Sequence, residues 1–157
     1  MKILKIVGVI ALIALVAAAI AAPLGPMPGF LIGGTQASVP TSWGDTSQIH
    51  EIRLQVNDGP IGRTVIIWTV QYDGDLFVFG ANDSGWVQAI GAGGPVRLEM
   101  EGQRYDLQAS PVTEGYLPII DAWMAKYSPD YPEITQAFPP AEEAIKSATV
   151  YRLSARS

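Results

Sequence analysis

The chain has 157 residues, with 10 Lys+Arg against 15 Asp+Glu, one His and no Cys. That length suits one compact domain, and without Cys there is no disulfide, thiolate metal site or cysteine nucleophile; a single His rules out a His-rich metal centre. The net charge of −5 lacks the basic footprint that phosphate backbones need, which argues against a nucleic-acid partner.

Residues 6–22 (IVGVIALIALVAAAIAA) are apolar without a break, behind Lys2 and Lys5. As a helix these 17 residues would reach about 25 Å, at the short limit for a membrane span. One reading is an uncleaved single-pass anchor. Two lysines precede the segment and no charge follows until Asp45, so the N-terminus stays in the cytoplasm and the domain lies outside. The other reading is a secretory signal, cleaved near the small residues Ala19 and Ala21, which leaves a secreted domain. A helix of a soluble core would carry a polar face, which this stretch lacks. Residues 23–42, with Pro23, Pro26, Pro28, Pro40 and paired glycines, read as a tether. Its Phe30-Leu31-Ile32 cluster is open to two fates, lying against the bilayer or docking on the domain. The chain thus divides into anchor or signal (1–22), tether (23–42) and folded domain (43–157). Without Lys2 and Lys5 the remainder holds 8 basic and 15 acidic residues, a charge of −7.

From residue 49 the hydrophobic period is two. Over 49–57, Ile52, Leu54 and Val56 point inward and Glu51, Arg53 and Gln55 face water. Residues 64–72 (TVIIWTVQY) are apolar on both faces, as in a strand covered on each side. Asp73-Gly74 then marks a two-residue hairpin turn, and 76–80 returns alongside. A short helix over 84–90 follows, with Ser84 at its N-cap position and Gly91 beyond its end. The stretch Gly91-Ala92-Gly93-Gly94 follows a helix and precedes a strand, the reverse of a dinucleotide fingerprint, and reads as a helix stop and turn. Residues 96–101 and 104–109 alternate around Gly102 as a second hairpin. A helix over 116–127 stacks Ile119, Ile120, Trp123, Met124 and Tyr127 on one stripe, with Pro118 in its first turn. A brief helix at 141–147 and a last strand at 149–155 complete the chain. Locally paired strands do not make a doubly wound sheet. They predict a mainly β domain with flanking helices, a six-stranded antiparallel barrel that closes its own edges.

The run Gly62-Arg63-Thr64, then VIIWTVQYDGDLFVFGAN, Gly85-Trp86, Pro95-Val96-Arg97-Leu98 and EGQRYDLQASPV resembles the split β-barrel flavoproteins. More narrowly it is similar to the deazaflavin-dependent nitroreductase group, related to pyridoxamine 5′-phosphate oxidase. The resemblance covers residues 43–156. It implies FMN or a deazaflavin in a groove beside the barrel, completed by the second subunit of a homodimer, with the flavin carrying the hydride chemistry. It assigns Arg63 to the cofactor phosphate, Thr64, Ile66 and Trp68 to the ring, and Asn82, Ser84, Gly85 and Trp86 to the loop and helix start over the phosphate or tail. Relatives carry a further Lys or Arg after the second strand; here Phe79, Gly80, Ala81 and Asn82 occupy that stretch, and Asp58 stands in the loop before Arg63.

Read from the residues alone, Trp68 and Trp86 are packing residues, Arg63 a solvated strand-start arginine and His50 an inward histidine at the barrel end. No nucleophile falls beside His50, and no catalytic residue is assigned. Three functions follow: an anchored flavin-type oxidoreductase acting on a small or membrane-borne acceptor, a binding barrel without turnover, and a barrel that docks on a partner through Trp43 or Tyr131.

Overall fold

The alternation seen from residue 49 onward is realised as a closed barrel in the computed structural model, which describes residues 29–156 together with Ile13. The rest of the apolar run 6–22, the expected anchor or signal, lies outside the described residues. Among the described residues no helix is long and apolar enough to cross a membrane.

Six strands form the barrel: β2 (Glu51–Val56), β3 (Arg63–Tyr72), β4 (Asp75–Ala81), β5 (Gly94–Met100), β6 (Gln103–Pro111) and β7 (Ala148–Ala155). A two-residue β1 (Thr35–Gln36) is added in parallel to the start of β6. The order β6-β5-β2-β3-β4-β7 closes through β6–β7, and every barrel pairing is antiparallel. Asp73 and Gly74 have φ of 50° and 79°, and Glu101 and Gly102 have 51° and 75°, the left-handed pairs of tight hairpins. Leu54, Val56, Leu76, Val78, Val96, Leu98, Leu107 and Leu153 fill the interior. The helix α1 (Gly85–Ile90) closes one end by sending Trp86, Val87 and Ile90 into the same core.

The central strand changes partners along its length. Residues 63–68 of β3 pair with β2, whereas Thr69–Tyr72 pair with β4. Two edges are therefore left without a strand: β3 from Arg63 to Trp68 on its β4 side, and β3 beyond Trp68 on its β2 side. The outward faces of β3 and β4 carry Trp68, Val70, Phe77 and Phe79. These pack beneath α2 (Leu117–Tyr127) in a second core that includes Ile119, Trp123 and Tyr127. That explains why 64–72 is apolar on both faces. Beyond α2 lie α3 (Pro132–Ala137) and α4 (Ala141–Ser147).

From Gly29 on the tether is bound to the barrel, and of the two fates open to its 30–32 cluster Ile32 takes the docked one. Gly29 exchanges both backbone hydrogen bonds with Thr64 (2.9 and 2.7 Å), occupying part of the open edge of β3. The chain then crosses the outer face of the sheet, where Phe30 O accepts from Gln55 and the carbonyls of Gly33 and Gly34 accept from Arg104. Ile32 is buried by this strap, because an unpaired edge and an uncovered apolar face both gain from an added segment. Trp43, expected as an exposed contact, is instead buried edge-on to Tyr105 at a ring distance of 5.0 Å. Tyr131 is half-buried against Trp68.

Gly80 points into the barrel beneath α1, and a Cβ there would overlap the Trp86 and Val87 side chains. Gly80→Ala should destabilise the domain by about 1–3 kcal/mol through overpacking. The urea midpoint should fall at constant m-value, whereas Gly44→Ala, which meets no atom within 4 Å, should leave it unchanged.

Candidate functional site

Where β3 and β4 part, Trp68 on one strand and Phe79, Gly80 and Ala81 on the other face a groove of about 520 Å³. Trp123 of α2, Ile134 of α3, Phe138, and Ala144 and Ser147 of α4 complete its walls. The walls are apolar and aromatic. Trp68 stacks on Tyr127 with centroids 4.3 Å apart and planes 8° from parallel, and meets Tyr131 at 4.7 Å. Trp123 meets Phe138 at 5.1 Å and Phe79 at 5.9 Å. Such offset and tilted contacts fix each ring by its neighbours, so the walls are preformed.

Behind the groove, α2 is pinned to the barrel at the second open edge. The register of β2 and β3 would pair His50 with Thr69, but the ladder stops at Glu51 and Trp68. The Tyr127 hydroxyl sits between them instead. It accepts from the Thr69 N–H (3.1 Å) and points its proton at the carbonyls of His50 (2.7 Å) and Thr69 (2.8 Å). Lys126 Nζ donates to Ile49 O (2.6 Å) and Thr69 O (2.8 Å). Two neighbouring side chains thus serve the backbone groups that a ladder would have served, and no buried polar side-chain atom among the described residues lacks a partner. Burial pulls the Lys126 pKa down to about 8, with Asp45 opposing weakly. Burial raises that of the Tyr127 phenol above its usual value. His50 is a correction: its half-exposed ring packs on Tyr127 and Tyr131, with Nε2 3.3 Å from Asp130 Oδ2, because the ladder that would have carried it inward ends one residue later.

The residues assigned by resemblance do not gather in one place. Trp68 lines the groove. Thr64, on the same outward face of β3, is fully buried under the strap and hydrogen-bonded to Gln55 (3.2 Å). Ile66 lines a separate shallow pocket with Glu51, Arg53 and Glu99. Arg63 and Gly85 do meet, and a Cβ on Gly85 would lie 2.5 Å from Arg63 Nη1. The Arg63 Nε, however, is paired with the Asp58 carboxylate. Ser84 occupies the N-cap position of α1 without capping it, its hydroxyl donating back to Ala81 O (2.7 Å). Asn82 accepts from the Thr149 hydroxyl (2.7 Å) and so ties β4 to β7. Trp86 belongs to the barrel core. Missed from the sequence were Phe79, Trp123, Ile134 and Phe138 as wall residues; the alternation of Phe77 and Phe79 with Leu76 and Val78 was the available signal, since it gives β4 a second face to cover. Among the described residues, no three His, Asp or Glu side chains gather as a metal site.

No protein-family model matches the sequence, and no curated protein does. Among solved structures, the FAD and heme binding protein from Mycobacterium smegmatis superposes with a TM-score of 0.52 at 10% identity, over 70% of this chain and 62% of that one. A protein assigned to 5-nitroimidazole antibiotic resistance from Bacteroides thetaiotaomicron gives 0.51 at 10%, over 71% and 75%. The chain has the split β-barrel fold. The split of this barrel is the parting of β3 from β4, and the groove is what it opens. At such identity the likeness is one of fold, and fold does not carry function with it. A flavin's ring system suits the groove's aromatic walls. Arg63, which the resemblance assigns to a phosphate, is not among the residues that wall the groove, and Asp58 already balances its charge.

Lys126 gives the site a pH signature. Its folded pKa of about 8 lies below the usual 10.5, so between these values the unfolded chain holds the extra proton and stability rises with pH. Tyr127 acts oppositely above pH 10, where the folded chain keeps the proton that the unfolded chain releases. The urea midpoint should therefore climb between roughly pH 8 and pH 10 in the native chain and climb less in Lys126→Met. Equal slopes in both proteins would remove Lys126 as the cause.

Proposed function

We propose that this is a membrane-tethered split-barrel protein whose groove binds a flat, largely apolar ring system, with a flavin-type cofactor as its ligand. One observation carries the reading. The groove at the barrel split is walled by Trp68, Phe79, Trp123 and Phe138, rings packed against one another. The FAD and heme binding protein of similar fold supports the ligand class. When bound, a flavin supplies hydride transfer, chemistry for which a chain with one His and no Cys has no group of its own. The chain's own residues bind and orient. The aromatic walls exclude water from one side of the ring, and Tyr127 and Lys126 hold α2, and with it Trp123, against β3. A cofactor phosphate reaches Arg63 only by displacing Asp58. The acidic domain adds a general repulsion, so the ring contributes more to affinity than the phosphate. The apolar run 6–22 keeps the domain at the membrane, where a lipid-soluble acceptor is concentrated.

Titration separates the two halves of this ligand. Lumiflavin, which has the ring and no phosphate, should quench tryptophan fluorescence saturably. Ser147→Phe, which adds bulk to the groove wall, should abolish that binding, while Arg63→Ala should leave it unchanged. Asp58→Asn frees the Arg63 guanidinium and should strengthen FMN binding relative to lumiflavin, by about tenfold for roughly 1.4 kcal/mol. A chain that takes up neither compound would sink the flavin reading.

A further inference from the structure

The described strap begins at Gly29, a few residues after the apolar N-terminal run in the sequence. Gly29 is fixed on β3 at Thr64, and only residues 23–28 separate it from the end of that run. Whatever path those residues take, they span at most about 25 Å from Ala22 to Gly29. The surface around Gly29 is therefore held close to any bilayer that contains residues 6–22.

That surface has the composition of a membrane-contacting edge. Phe30 and Leu31 are 38% and 55% exposed, although the next residue, Ile32, is buried. The loop between β2 and β3 carries Ile61, at 68% the most exposed large apolar side chain of the barrel. The two segments meet at Gln55, whose amide donates to Phe30 O while its stem lies against Gly62. Behind Ile61 opens a polar pocket of about 330 Å³, walled by the loop and by Arg97 and Arg156. Arg97 bonds Asp106 and Gln55, and Arg156 bonds the carbonyls of Val96 and Leu107 and lies 4.0 Å from the same Asp106, so one carboxylate faces two guanidinium groups and one positive charge is left over. An apolar tip with guanidinium groups on its shoulder matches the acyl-to-phosphate boundary of a lipid leaflet. Asp58 in the loop and Asp106 beside both guanidinium groups are the acids of this edge, and the helical layer is more acidic still. The segment 112–147, with α2, α3 and α4, carries six Asp and Glu against two Lys.

We propose that this edge of the barrel docks on the bilayer, with Leu31, Ile61 and Phe30 in the interface and Arg97 and Arg156 at the lipid phosphates. The inference rests on residues 6–22 being a retained anchor. Docking fixes the barrel's orientation, so the acidic helical layer is not the surface pressed to the lipid.

The absence of cysteine makes the test clean, because any introduced thiol is the only one to label. The full chain carrying Ile61→Cys or Glu142→Cys is labelled with an environment-sensitive fluorophore and reconstituted in phosphatidylcholine–phosphatidylglycerol vesicles. Flotation of the vesicles reads the anchor, and quenching by spin-labelled lipid reads the docking. The proposal expects the chain to float, with the Ile61 probe shifted to shorter wavelength and quenched and the Glu142 probe left as in water. Floating chain with a water-like Ile61 probe overturns the docking and leaves the anchor standing. Quenching at both positions also overturns it, since contact would then lack an orientation. A chain that does not float overturns the anchor, and the docking falls with it.

Discussion

A strand of ten residues that changes partners at Thr69 leaves two lengths of backbone edge unpaired, and most of this molecule is a response to that constraint. Unpaired edges inside a packed domain are costly because their N–H and C=O groups have lost water. At one edge the solution is side-chain chemistry, with Tyr127 and Lys126 reaching from α2 into the ladder position between His50 and Thr69. At the other the solution is shared. Gly29 supplies one residue of pairing at Thr64, and beyond it the strands stay apart as the walls of the groove. The groove is thus a consequence of how β3 satisfies its hydrogen bonds, and α2 is held over it by the same strand.

Much of the barrel was legible because each hairpin is local. Ile52, Leu54 and Val56 alternate with charged or polar residues, Val96, Leu98 and Met100 do the same, and Asp73-Gly74 and Gly102 accept the positive φ that their turns need. The stripe of α2 was equally plain, since Ile119, Ile120, Trp123 and Tyr127 are all buried. The strap was legible only as one of two fates open to its 30–32 cluster, and its path was not. Its prolines and glycines describe what the chain cannot form by itself, and its two-residue β1 exists only because β6 offers an edge. The helix α3 was hidden likewise, since Pro132 begins it and PEITQA has no apolar stripe to mark it.

The candidate site was the least legible part, for a physical reason. Its walls come from β3, β4 and three helices far apart in sequence, and aromatic side chains carry no spacing rule that would announce their meeting. Only Trp68 was named in advance from among them. Arg63, Asn82 and Ser84 have the chemistry of a phosphate site in the sequence, yet in the fold each has a nearer partner, in Asp58, Thr149 and Ala81 respectively. Local charge balance inside the domain thus competes with the ligand chemistry that residue type alone implies.

The four tryptophans offer a direct test of the central claim, since Trp43 and Trp86 lie in the barrel core and Trp68 and Trp123 at the groove. Each indole N–H gives its own cross-peak in a nitrogen–proton spectrum of labelled protein, assigned by substitution. Titration with lumiflavin should move the Trp68 and Trp123 signals together and leave those of Trp43 and Trp86 in place. Movement confined to Trp43 and Trp86, with Trp68 and Trp123 still, would put the ligand inside the barrel core rather than in the groove and contradict the account.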